Sequence, residues 1–489
     1  MHITKRCLAL LAVAVCFFIS HPLATAAERD ARPNVVFFFI DDMGWKDVGF
    51  MGSTYYETPH IDTLASQGMV FTNAYACAPN CAPSRACLMS GLYGPRHGVF
   101  TVGNPARGNA KYRKLVPTSN KTVLDAKFVT IAEALQKAGY VTAAMGKWHL
   151  GADPKSQGFT VNVGGNTSGS PRGGYFSPYR NPQLSDGPKG EYLTDRLTDE
   201  AVKFIAANRT NRFFLYLTHY AVHTPIQGKP DLIEKYKGKR PSNGQGNATY
   251  AAMVDSTDQS VGRVLVKLDE LGLAKNTVVV FFSDNGGYGP ATSMKPLRGS
   301  KGMLYEGGIR EPLTIRWPGR IKPGSRCDVP VIGVDLYPTL LEATGTPVPK
   351  NKPLDGESLV PLLTQTGSLK RDALHWHFPC YLQAYRGITG PFRTTPAAAI
   401  RIGNYKLLEF FEDGRRELYD LSQDIGETKN LVKTHPEKAK ELYDRMLAWR
   451  KSVKAPVPTT ANPKYDPNAK WPPGKKGKKK SKKKLVTKS

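Results

Sequence analysis

Two acidic pairs stand where this chain could hold a cation: Asp41-Asp42 and Asp284-Asn285. Each closes an apolar, β-prone run, Val35 to Ile40 and Val278 to Phe282. Three carboxylates and an amide oxygen are hard ligands. They suit Ca²⁺, with Mg²⁺ as an alternative, better than zinc, which prefers nitrogen and sulfur. Asp-Asn-Gly taken alone more often marks a turn. Two acidic pairs ending two buried strands strengthen the cation reading. The cysteines add a second signal. They fall at 7, 16, 77, 81, 87, 327 and 380, and the first two lie in an N-terminal segment that reads as removable. Five then remain, and an odd count in an exported chain points to a thiol with a fate other than a disulfide. Up to two disulfides stay open among the other four.

The elements that must position these residues alternate. Val35–Ile40, Phe213–Leu217 and Val278–Phe282 read as fully buried strands. Between them lie helical segments, Ile131–Ala138 stopped by Gly139 and Tyr250–Leu271 stopped by Gly272. This pattern predicts a doubly wound α/β sheet flanked by helices on both faces. Ligands of such sheets bind beyond the carboxyl ends of the strands, where both acidic pairs would converge. After about Leu363 the pattern changes. Ala398–Phe411 and Arg415–Leu421 flank Glu412-Asp413-Gly414, a hairpin signal, and a helix follows over Pro436–Ser452. The expected division is a catalytic body over 27–363, a smaller antiparallel-sheet-plus-helix subdomain over 364–453, and a disordered Pro/Lys-rich tail over 454–489.

The stretch Cys81-Ala82-Pro83-Ser84-Arg85-Ala86-Cys87-Leu88-Met89-Ser90-Gly91 resembles the signature of the type I sulfatases, relatives of alkaline phosphatase. That signature is Cys-x-Pro-Ser-Arg followed by Leu-x-Thr/Ser-Gly. The resemblance implies an alkaline phosphatase-like mixed sheet and a Cys81 oxidised to Cα-formylglycine by a maturation enzyme. It also implies a cation held by Asp41, Asp42, residue 81, Asp284 and Asn285. Pro83 to Ser90 reads as a helix start, which sets residue 81 near a positive helix end and Arg85 within reach of the nucleophile's oxygen. Gly146-Lys147-Trp148-His149 resembles the second family signature, with Met145 where a smaller residue is usual. It assigns Lys147 to the sulfate and the formylglycine, and His149 to the formylglycine hydroxyl. His223, in His223-Thr224-Pro225, matches the histidine that faces the leaving group, with His219 as a structural rival. Lys301, in Pro296-Leu297-Arg298-Gly299-Ser300-Lys301-Gly302, matches the sulfate-binding lysine. One segment departs. His375-Trp376-His377-Phe378-Pro379-Cys380-Tyr381 carries Cys380 where a histidine is usual, and is expected to border the substrate pocket.

Composition sets the setting. With 489 residues, 40% hydrophobic and 22% charged, the chain can bury a large core. Lys5 and Arg6, the apolar run Leu8–Ile19 and Ala24-Thr25-Ala26 read as a signal peptide over 1–26. The apolar run is short for a membrane anchor, so the expected location is periplasmic or extracellular. The net charge of +27 suits an anionic substrate, a sulfated small molecule or glycan, or an anionic surface reached through the lysine tail; no nucleic-acid partner is expected. The chain therefore reads as a sulfuric ester hydrolase. A phosphatase or phosphonate monoester hydrolase of the same superfamily and a non-catalytic polyanion-binding protein are the rivals.

Overall fold

The computed structural model describes residues 32–471; the segment read as a signal peptide and the lysines between 475 and 488 lie outside them. An eight-stranded mixed sheet forms the centre. From edge to edge it runs Val161–Val163, Val141–Gly146, Phe213–Thr218, Asn34–Ile40, Thr277–Ser283, Leu313–Arg316, Met69–Phe71 and Ser325–Cys327. The first five strands are parallel, and Leu313–Arg316 runs antiparallel to both its neighbours. The central strand explains its apolar run. Val36, Phe38 and Ile40 pack into one hydrophobic cluster, while Val35, Phe37 and Phe39 pack into another on the opposite face. Successive side chains point to opposite faces of a strand, so a strand covered on both sides must be apolar throughout.

Helices cover both faces. The long helix Ala248–Glu270 starts on an Asn247 side chain that accepts from the backbone N–H groups of Thr249 and Tyr250. Helix Ile131–Lys137 starts with a capping box between Thr130 and Glu133. Both lie within two residues of their sequence-based ranges.

After residue 372 a four-stranded antiparallel sheet follows in the order Ala373–Phe378, Ala397–Ile402, Tyr405–Phe410, Arg416–Asp420. One of its faces, through Ile400, Leu407 and Leu418, takes Leu442 and Met446 of helix Pro436–Ser452. The other, through Trp376, Phe378 and Leu408, packs with Tyr75, Cys87 and Ile309 of the main body. Two sequence expectations need correction here, and one open question closes. The run Ala398–Phe411 is two strands, because Gly403, with φ 55°, turns the chain between Ile402 and Tyr405. The chain from Lys454 to Trp471 is irregular but docked. The Val116 N–H donates to the Thr460 carbonyl, the Asn462 amide donates to the carbonyls of Ala110 and Arg113, and Trp471 meets Tyr112 edge-on. Backbone and side-chain hydrogen bonds hold this stretch where composition suggested disorder. Finally, all five described cysteines are free thiols.

Candidate active site

Strand register builds the site. Ile40 pairs with Ser283, so the acidic pairs that follow them meet. The Asp284 N–H donates to the Ile40 carbonyl at 3.0 Å, the Asp42 N–H to Asp284 Oδ1 at 3.2 Å, and Asn285 Nδ2 to Asp42 Oδ1 at 2.8 Å. On the other flank Gly146 pairs with Thr218. Gly146 sits at φ 106°, and a methyl group there would collide with the Thr218 carbonyl, so glycine is required for the strands to close up. The next residue, Lys147, donates its N–H to Thr218 O at 2.7 Å and sets Nζ 2.6 Å from Asp41 Oδ2. Lys301 arrives on a loop and places Nζ 2.7 Å from Asp42 Oδ2. Asp42 and His149 both hold left-handed backbone, φ 60° and 63°. Such strain in non-glycine residues collects at functional sites.

One ligand atom each from Asp41, Asp42, Cys81 and His223 lies within 4.8 Å of the others. The two carboxylates of this set, with the Asn285 amide beside Asp42, are the oxygen donors a hard cation takes. Asp41 Oδ1 and Asn285 Oδ1 are buried without a hydrogen-bond partner. Burial, opposed by Lys147 and reinforced by Asp284 and Asp42, pushes the Asp41 carboxyl up to about 8. Against its own burial, Asp42 is held well below the usual carboxylate range, by Lys301 above all. Burial, not a lack of neighbouring cations, is what disfavours the Asp41 anion, and a divalent cation on its unpartnered oxygen would take the place of the proton. Asp284 stands slightly apart, committed to Arg85: Nε donates to Oδ2 at 2.9 Å and NH2 lies 2.8 Å from the same oxygen.

Cys81 is the first residue of the buried helix Cys81–Ser90, two residues earlier than Pro83 suggested, and lies at its positive end. Burial raises its thiol pKa. Arg85 departs from expectation. Its donors go to Asp284, to the Lys147 carbonyl at 2.9 Å and to the Thr218 hydroxyl rather than to residue 81. Arg85 therefore braces the carboxylates and the Lys147 turn from below. His149 is buried with Nδ1 unpartnered, and burial together with the cations Lys147, Arg85 and Lys301 drives its pKa well below the usual histidine range. Both effects favour the neutral ring. His223 Nδ1 lies 2.7 Å from the Thr224 carbonyl, so it carries the hydrogen and leaves Nε2 facing Asp42 Oδ2 at 3.6 Å. Burial and Lys301 pull its pKa down to about 3. His219, just past its strand, instead pairs at 2.8 Å with Ser260 of the long helix Ala248–Glu270.

These groups open into a cleft of about 380 Å³ lined by Asp42, Cys81, His149, His223 and Lys301, with Arg107, Tyr288 and Arg393 around them. No motif marks the last three; Arg107 and Tyr288 sit on loops and Arg393 on the short strand Phe392–Thr394, and only the packing of separate segments brings them here. Asp47, Tyr250 and Thr292 were equally silent in sequence. The Tyr250 hydroxyl lies 2.6 Å from Asp47 Oδ2 and 3.2 Å from the Asp42 carbonyl, and Thr292 donates to Asp47 Oδ1 at 2.7 Å. Residues 375–381 do not line the cleft. Cys380 is fully buried, and the Tyr381 N–H donates to the Pro105 carbonyl, so the segment backs the loop that carries Arg107.

An open α/β sheet with a carboxylate–lysine cluster beyond its strands, beside a cysteine at a helix N-terminus, defines a hydrolase of anionic esters with an alkaline phosphatase-like fold. The Sulfatase family model matches residues 33–346, and the model for the C-terminal region of N-sulphoglucosamine sulphohydrolase matches residues 300–452. A sulfatase of Formosa agariphila is 35% identical, over 88% of this chain and 91% of its own. N-acetylgalactosamine-6-O-sulfatase of Bacteroides thetaiotaomicron is 28% identical, over 85% and 93%. The solved structure of Ps i-CgsB with k-i-k-neocarrahexaose superposes with a TM-score of 0.71 at 30% identity, covering 86% of this chain and 92% of that one. The chain belongs to the sulfatase family. It is a sulfuric ester hydrolase.

Proposed function

We propose that this enzyme releases sulfate from a sulfated carbohydrate, that residue 81 is its nucleophile after conversion to formylglycine by a maturation enzyme, and that it works outside the cytoplasm with Ca²⁺, or else Mg²⁺. The observation that carries the reading is the cluster of Cys81 with Asp41, Asp42 and His223 at a helix N-terminus. The glycan substrate is supported by the names of relatives, an N-acetylgalactosamine-6-O-sulfatase and a protein crystallised with a neocarrahexaose.

A formylglycine at position 81 supplies a hydrated aldehyde, whose paired hydroxyls allow attack on sulfur and later release of sulfate. A cation held by Asp41, Asp42, Asp284, Asn285 and residue 81 supplies Lewis-acid polarisation. The protein's own groups do the rest. Lys147 and Lys301, each already fixed on an aspartate, neutralise charge on the sulfate oxygens without reorganising. His149, neutral and with a free ring nitrogen, accepts the hydroxyl proton at position 81. His223 lies on the leaving-group side. The arriving sulfate anion offsets Lys301, which lets Nε2 take up and donate the proton the departing alcohol needs. Arg85 and Asp284 hold this arrangement from beneath.

The test combines mass spectrometry of the peptide carrying residue 81 with turnover on sulfated saccharides and on the matching phosphate monoesters. An active protein whose residue 81 is an unmodified thiol sinks the nucleophile assignment. Faster turnover of the phosphate esters favours the phosphatase rival.

A further inference from the structure

Charge in the cleft is paired with two exceptions. Lys147 sits on Asp41, Lys301 on Asp42 and Arg85 on Asp284, one cation to one carboxylate. Arg107 and Arg393 also line the cleft but contact no carboxylate among the described residues. Arg107 donates to the Val102 carbonyl, and Arg393 NH1 donates to the Gln383 carbonyl at 3.1 Å. Arg393 Nε is buried with no partner at all. Burial weakens the basicity of both guanidinium groups, and the charge of Arg107 adds to the effect on Arg393.

Two like charges facing a common space, one with a buried donor unused, are costly unless an anion satisfies them. The fold nevertheless holds them there. The Thr394 hydroxyl donates to the Gly302 carbonyl, which ties Arg393 beside Lys301, and Gly302 leaves room for it: a methyl at that position would strike Arg393 Nε. The guanidinium of Arg393 lies 5.1 Å from the ring centre of Tyr385, which itself meets Tyr288 edge-on. The Arg107 loop is backed by the segment around Cys380, as described above.

We propose that Arg107 and Arg393 form a second anion subsite beside the sulfate-binding lysines, recognising a further anionic group, a sulfate or a carboxylate, on the same saccharide. The inference rests on the saccharide sulfatase reading and deepens it: the preferred substrate carries at least two negative charges. Guanidinium forks suit both oxyanions, because they present paired N–H donors to two oxygens.

The experiment compares three substrates: a neutral saccharide with one sulfate, a disaccharide with two sulfates, and a monosulfated disaccharide containing a uronic acid. For Arg107→Ala and Arg393→Ala, the ratio of kcat/KM on either dianionic substrate to that on the monoanionic one falls tenfold or more, chiefly through KM. Arg393→Lys restores part of it. Whether the loss falls on the disulfated or the uronate substrate identifies the anion. A ratio unchanged in both alanine variants, or equal losses on all three substrates, overturns the subsite. If the unaltered enzyme turns over none of them, the saccharide reading fails separately. Binding of the disulfated disaccharide to the Cys81→Ala protein then reads the subsite directly: a tenfold weakening by Arg393→Ala supports it, and equal affinity overturns it.

Discussion

At the scale of single residues the chemistry depends on groups that are individually unfavourable. Cys81, Arg85, Lys147, Asp41 and Asp284 are almost wholly buried, and burying a charge is tolerated only when it is paired. Two outcomes follow. Cys81→Ala removes turnover on every sulfate ester while leaving the melting temperature within a few degrees, because alanine suits a helix start of this size; activity assays beside thermal melts check it. Arg85→Met behaves oppositely. It leaves Asp284 buried and unpaired, which costs about 3–5 kcal/mol, so a fall in melting temperature accompanies the loss of activity. Metal removal gives a third outcome. A cation bound to the native state only stabilises it by about 3 kcal/mol at a hundredfold excess over its Kd. Chelation is therefore expected to lower the melting temperature, and Ca²⁺ to restore it; a melt indifferent to chelator would count against a cation in this cluster.

At the scale of elements, the antiparallel sheet after residue 372 is joined to helix Pro436–Ser452 through aromatic contacts. His375 stacks on Trp449 with ring centres 4.5 Å apart, and the His377 ring lies 6.4 Å from the same indole. Burial pulls the His375 pKa down to about 3 and that of His377 to about 4. The sign follows directly. Unfolded histidines take a proton below about pH 6.5, whereas the folded ones resist until far lower. Their contribution to stability is present above pH 6.5 and is lost as pH falls toward 4 and 3. Melting temperature is expected to drop over that window, and less so in His375→Gln. A variant with the same acid sensitivity as the parent would move the effect elsewhere. Within the same element pair, Leu442→Ala removes a fully buried side chain and costs about 2–5 kcal/mol.

At the scale of the whole molecule, the large sheet, the small sheet and the docked chain out to Trp471 share one body. No helix among the described residues is long and apolar enough to cross a membrane. Beyond Trp471 the sequence concentrates nine lysines between 475 and 488. We expect truncation after Gly474 to leave turnover of a small aryl sulfate unchanged while weakening retention on a sulfated polymer, with the difference fading at high salt because exposed charges are screened. Equal retention at low salt would show that the lysines do not serve adhesion.

The sequence alone determined the strands, the long helices, the acidic pairs and the cysteine motif, because each is written locally. An apolar run buried on both faces needs no distant partner to be read, and Gly139 or Pro436 ends or starts a helix wherever the chain goes. The motifs that resemble a family likewise named Lys147, His149, His223 and Lys301 from short stretches. What only the tertiary structure decided depends on residues far apart in the chain. Arg85 turned toward Asp284 because the strand carrying that aspartate ends beneath it. Residues 375–381 went behind the Arg107 loop because their side chains had a sheet and Trp449 to fill. The unpaired arginines 107 and 393 met in the cleft although nothing in their own neighbourhoods announces an anion. Local sequence specifies what a segment wants to bury or turn; which charges end up facing each other follows from how the segments pack.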